Sequence, residues 1–157
     1  MTFDTTRFGT IEIDDKEIIT LTQPIIGFQE FRRFVLLPGP RDSVKWLQST
    51  DSGELAFILM DPRQLLPEYV VNVAESELSE LAATTVDELD VYTLVVVPDD
   101  PAKVRTNLKA PILINKKHRL GKQTILERSN YPIQFFLAQG QGSTEQDQEV
   151  ANARSDA

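Results

Sequence analysis

The feature that most constrains this chain is its punctuation. Apolar, β-branched runs recur along it, and each is closed by Pro, Gly or an acidic turn before it reaches helical length. Phe34-Val-Leu-Leu37 stops at Pro38-Gly39-Pro40, and Val91–Val97 stops at Pro98-Asp99-Asp100-Pro101. A proline lacks the N–H that a ladder needs and has a fixed φ, so neither run continues as a strand. Short strands are therefore predicted at Phe3–Phe8, Thr10–Ile13, Glu17–Leu21 and Phe34–Leu37. Val44–Ser49 and Leu55–Met60 form a hairpin-like pair around Thr50-Asp51-Ser52-Gly53. Further strands are predicted at Tyr69–Val73, Val91–Val97, Thr106–Leu108, Ile112–Asn115, Gln123–Glu127 and Pro132–Leu137. The unbroken apolar run Val91–Val97 reads as a central strand covered on both faces.

Helical signals are few. Asp61-Pro62 opens a turn over Arg63–Leu66, and Glu75–Ala83 places Leu78 and Leu81 on one helical face. The expected fold is mainly β: an antiparallel barrel or sandwich in a single domain, residues 1–137, with one or two short helices. From Ala138 to Ala157, Val150 is the only sizeable apolar residue. Such a segment cannot offset an ordering cost of about 1–2 kcal/mol per residue, so 138–157 is expected to be a disordered acidic tail.

The composition removes much familiar chemistry. There are no cysteines and one histidine, so disulfides, thiolate metal sites and thiol nucleophiles are excluded and no cofactor or metal is expected. No apolar run approaches the roughly 20 residues of a membrane span, and the start of the chain lacks a secretory pattern. A cytoplasmic protein, monomeric when free, is the expectation.

The net charge of −8 opposes general nucleic-acid binding. Its layout is uneven: residues 1–100 carry 19 acidic and seven basic side chains, residues 101–137 eight basic and one acidic. Either the two blocks neighbour each other on the surface, or an acidic face attracts a basic partner. Lys116-Lys117-His118-Arg119 is the concentrated basic stretch. With Lys122 it allows an RNA-binding reading, but no aromatic residue is interleaved to stack bases, and a polar turn explains it as well.

Catalytic readings are thin. Gly121-Lys122 fails as a phosphate loop, because Lys116 stands where the earlier glycine belongs and Gln123 where Ser or Thr belongs. The paired acids Asp14-Asp15, Glu88/Asp90 and Asp99-Asp100 read as turn formers. A small carboxylate-dependent enzyme would need Asp61, Asp99 or Asp100 to converge with Lys122 as a charge stabiliser. Docking is the stronger reading. Asp61, Glu68, Asp99 and Asp100 fall at predicted strand ends, where loops meet partners, and Trp46, Gln48 and Tyr69 are candidate anchors. An unpaired strand edge is a further means of docking.

The ordered residues also resemble a known family. Asn107-Leu-Lys-Ala-Pro-Ile-Leu-Ile-Asn115 followed by Arg119-Leu-Gly-Lys-Gln-Thr-Ile-Leu126 is similar to the signature of the FliW family of flagellar assembly factors. Gly9–Ile13, Gly27-Phe28, Phe34–Pro38, Trp46–Ser49, Leu55–Pro62 and Val95–Pro98 agree in order, so the resemblance spans roughly residues 3–137. It implies a β-barrel-like protein that is not an enzyme. It further implies binding to CsrA, a basic RNA-binding translational regulator, whose repression of flagellin messenger RNA is relieved allosterically. Flagellin is implied as the second partner, coupling flagellin synthesis to export.

Overall fold

The computed structural model describes residues 1–140. The strands are β1 (Thr2–Thr5), β2 (Gly9–Glu12), β3 (Ile19–Leu21), β4 (Arg33–Pro38), β5 (Val44–Ser49) and β6 (Ala56–Met60). They continue with β7 (Asp90–Val96), β8 (Arg105–Thr106), β9 (Ile112–Asn115), β10 (Leu120–Gln123) and β11 (Phe135–Phe136). Helix α1 covers Glu75–Glu80, and α2 is one turn, Leu137–Gly140.

Strand β7 makes the barrel. One of its edges pairs with β6, while the first residues of the other edge, Asp90–Tyr92, pair with β9. The ring β7–β6–β5–β4–β3–β10–β9 therefore closes on itself with seven strands. Past Tyr92 the same edge of β7 takes β8 instead, and β11 follows as a short outer strand. All pairs are antiparallel except β3 with β10. The mainly β architecture expected from the punctuation is observed, and of barrel and sandwich it is the barrel, the form that the resemblance implied.

Alternation along the strands sorts the core into layers, since successive side chains of a strand point to opposite faces. Phe34, Leu47, Leu59, Tyr92, Ile112 and Ile114 fill the barrel interior. Val44, Trp46, Ile58, Met60 and Val95 point outward and pack with Leu65, Val104 and Leu137. Val91 and Leu113 also point outward, against Leu78 and Leu81 from the α1 region, Leu108, Leu126 and Tyr69. Both faces of the sheet are thus covered, as the unbroken run in β7 demanded.

Several segments differ from the sequence expectation. Tyr69–Val73 belongs to no sheet of the described residues. Residues 124–127 leave the ladder although Thr124 N–H still donates to Pro111 O (3.0 Å) and Leu126 N–H to Lys109 O (2.8 Å). Pro111 has no N–H to return the bond, so the regular pattern ends at Gln123. Helix α1 stops at Glu80 rather than Ala83, and Ala82 takes a positive φ of 55° just beyond it. The boundary placed at 137/138 falls inside α2, because Leu137 is buried against Val104 and Trp46. The rest of the expected tail, 141–157, lies outside the described residues.

The hairpin β1–β2 lies over the outer face of β5. Phe8 meets the Trp46 ring edge-on at 5.6 Å, and the Arg7 guanidinium stands 5.1 Å from the ring centre. The hairpin is fastened at Gly53, whose carbonyl accepts from Thr6 N–H at 3.0 Å. A Cβ on Gly53 would stand 2.1 Å from Asp4 O, so only glycine permits this approach. Gly53→Ala is therefore expected to lift the hairpin, cost about 1–3 kcal/mol in urea unfolding, and red-shift the fluorescence of the single tryptophan. Unchanged stability and emission would show that the hairpin does not depend on this contact.

Candidate protein-docking site

The largest opening described is a groove of about 630 Å³ between residues 70–74 and 125–129. Val70, Asn72, Val73, Ala74 and Glu77 form one side, and Ile125, Leu126, Glu127, Arg128 and Ser129 the other. Val70 is 53% exposed and Ile125 50%, apolar surface that none of the described residues covers.

Each wall has a local cause. The 69–74 wall begins at Tyr69, which is buried and donates its hydroxyl to Leu108 O at 2.6 Å. Burial, and secondarily Tyr131, push the Tyr69 phenol well above its ordinary pKa, so it stays a neutral donor. The Tyr131 ring packs on Tyr69 with centroids 4.6 Å apart, and the Tyr131 hydroxyl accepts from Val70 N–H at 3.0 Å. These contacts fix the chain where it leaves the core.

The far end of that wall is held by an ion cluster. Lys122, on β10, has a side chain only 5% exposed and places its Nζ 2.9 Å from Glu80 Oε2 and 3.1 Å from Glu77 Oε1. Burial opposes its charge, but the hydrogen bonds from Glu80 and Glu77 outweigh that penalty and raise its pKa. Burial likewise opposes ionisation of Glu77, yet the Thr124 hydroxyl and the Lys122 ammonium hold its carboxyl below the ordinary value of 4.5. Asn115 Nδ2 donates to Leu81 O at 2.7 Å, fixing the end of α1. The cluster ties α1 to the barrel and is structural rather than reactive.

The structure separates the residues singled out from sequence. Trp46, Gln48 and Tyr69 are 5%, 1% and 2% exposed, so none of the three offers an anchor to a partner. Trp46 is roofed by the hairpin, and Gln48 Nε2 donates to Ser49 O and Leu55 O at 3.0 and 3.1 Å. Aromatic size and amide polarity are equally suited to a core and to an interface, and here the β1–β2 hairpin and the 50–55 turn cover them. Glu68, Asp99 and Asp100 are exposed and Asp61 is partly so. Asp61 and Asp100 cap the turns 62–64 and 101–103, accepting from Arg63 N–H and Ala102 N–H at 3.0 Å. Lys122 is committed to Glu77 and Glu80, so the carboxylate–lysine constellation that catalysis needed is not assembled.

The basic stretch is a turn between β9 and β10. Asn115 Oδ1 accepts from Lys117 N–H and His118 N–H at 3.1 and 3.3 Å, and Arg119 has a φ of 57°. Lys116 Nζ stands 3.0 Å from Asp90 Oδ2. Lys116 and Lys122 thus neutralise acids from the preceding part of the chain. They pair with three of the nine carboxylates of Gln64–Ala102, a segment with no Lys or Arg, and leave six. Among these, Glu68, Glu75, Asp87 and Glu88 are exposed. Glu88 accepts from Thr84 N–H and Thr85 N–H, both at 2.7 Å, which hold its pKa down to about 2 and keep it charged.

Sequence reasoning missed the groove residues Val70, Val73, Ile125 and Arg128. The available signal was Tyr69–Val73 itself: a β-branched run with no hairpin partner beside it in the sequence. Among the described residues no helix is long and apolar enough to cross a membrane, and no group of His, Asp or Glu is placed to hold a metal ion.

Comparison with known proteins adds a consistent set of relatives. The family described as "FliW protein" matches residues 2–137. A flagellar assembly factor FliW from Bdellovibrio bacteriovorus is 34% identical over 134 residues, covering 85% of this chain and 77% of the relative. One from Thermoanaerobacter pseudethanolicus is 36% identical over 135 residues, covering 85% and 90%. A crystal structure of the flagellar assembly factor FliW superimposes with a TM-score of 0.80 at 35% identity, over 87% of this chain and 96% of that one.

The ion cluster makes a pH-dependent prediction. A carboxyl whose pKa is depressed by folding stabilises above its ordinary pKa of 4.5 and loses that contribution as pH falls through the folded value. Glu77→Gln is expected to lower stability at pH 7 by about 1–3 kcal/mol in urea unfolding. The gap from the unsubstituted protein should shrink as pH falls below 4.5. A constant gap across that window would show that Glu77 titrates alike in both states.

Proposed function

This chain belongs to the FliW family of flagellar assembly factors, and from that premise we propose that it works as a regulatory docking protein, not as an enzyme. It binds the translational regulator CsrA and relieves that protein's repression of flagellin messenger RNA. It also binds flagellin, so that export of the filament subunit frees the regulator and limits further synthesis. Both partners place its work in the cytoplasm, where it is monomeric when free.

The observation that carries this reading is the family match across residues 2–137. The surface supports it. A basic partner is attracted by the run Gln64–Ala102, which has no Lys or Arg and keeps six carboxylates beyond Glu77, Glu80 and Asp90, the three paired with lysines. Glu68, Asp99 and Asp100 from that run, with the half-exposed capping residue Asp61, are the acidic contacts proposed for it. Allosteric relief needs only about 1–3 kcal/mol of coupling between the protein and RNA sites of the regulator. Direct RNA binding is disfavoured by the pairing of Lys116 with Asp90 and the burial of Lys122.

Calorimetry with purified CsrA and with flagellin tests the proposal: binding to both in the micromolar range or tighter is expected. Binding to neither would overturn it. Association with CsrA is expected to slow as salt shortens the Debye length below about 8–10 Å. Joint reversal of Asp99→Lys and Asp100→Lys should slow it several-fold at low salt. An unchanged, salt-sensitive on-rate would remove that turn from the contact surface.

A further inference from the structure

The wall 69–74 carries an unmet requirement. Its sequence is that of a strand, yet it pairs with no strand among the described residues. The N–H and C=O groups of Val71, Asn72 and Val73 make no hydrogen bond to any described residue. On either side the chain is secured, by Val70 N–H to the Tyr131 hydroxyl and by Ala74 O, which accepts from Glu77 and Leu78 at the start of α1. Val71 points into the core, while Val70 and Asn72 are exposed, the alternation of a strand with one free edge. This open run faces the groove whose opposite side is Ile125–Ser129.

A strand-like run with free main-chain groups beside a partly apolar groove is a template for an added strand. We infer that residues 70–74 accept an extended segment of a partner as a new β-strand, its apolar side chains covering Val70 and Ile125 and its flanking cations meeting Glu68, Glu75 and Glu127. The charge of the rim selects this occupant. Exposed Glu68 and Glu75 bracket the open run, Glu127 lies across the groove, and Arg128 is the one cation in the lining. Glu77 is already balanced by Lys122. The residues 141–157 of this chain carry four acids and one arginine, so like charge disfavours them as the occupant. The inference rests on the function proposed above and assigns the groove to its basic partner, the translational regulator.

Amide hydrogen exchange of the full chain, with and without CsrA and flagellin, provides the test. The Val71, Asn72 and Val73 amides are expected to exchange freely in the unbound protein and to slow at least tenfold in the CsrA complex. Asn72→Pro, which removes one main-chain donor, and Ile125→Glu, on an exposed side chain, should each weaken CsrA binding at least tenfold with unchanged circular dichroism. CsrA binding that leaves these amides unprotected and both variants unaffected would overturn the inference while the proposed function stands. Protection by flagellin and not by CsrA would overturn the assignment of the occupant. So would slow exchange in the free chain that is relieved by deleting 141–157, since the chain would then fill its own groove. Failure of the unsubstituted protein to bind either partner would overturn both readings.

Discussion

The obligation of every main-chain N–H and C=O to find a partner organises this molecule. Seven strands meet it by closing into a ring, and closure depends on β7 pairing on both edges, with β6 along one and β9 and then β8 along the other. A closed sheet has no edge to offer, so strand addition is possible only outside the ring. The β1–β2 hairpin and the short β11 cover the outer face of the sheet. At residues 71–73 no described residue meets the same obligation.

Electrostatics divide into two tasks. Lys122 and Lys116 are spent internally, one tying α1 to β10 and the other joining the β9–β10 turn to β7. Of the acids in the 64–102 stretch, Glu68, Glu75 and Asp87 are exposed and present a single sign to solvent. Long-range attraction of a cationic partner and short-range capture in a groove are then separate steps. Charge sets the encounter rate, whereas main-chain pairing and apolar contact set the lifetime.

Much of the barrel was legible because local chemistry decides where strands end. Pro38, the Thr50–Gly53 turn and Pro98 stop β4, β5 and β7 within two residues of the expected positions. The parallel pairing of β3 with β10 and the ring closure through β9 were not legible, since each joins segments far apart in the chain. The same holds for the ion cluster, in which Lys122 meets a carboxylate 45 residues earlier. Trp46, Gln48 and Tyr69 show the complementary limit. Their side-chain chemistry suits interfaces, but the β1–β2 hairpin, the 50–55 turn and Tyr131 cover them. Tyr69–Val73 is the instructive case: its composition reads as a strand, and only the tertiary structure shows that no described strand lies beside it.

A structure of the complex with the basic partner is the most direct measurement of whether this protein acts by docking at that open run. A partner strand hydrogen-bonded along Val71–Val73, with an apolar side chain over Ile125, is the predicted result. A complex in which the partner sits elsewhere and Val71–Val73 stays open to water would contradict it.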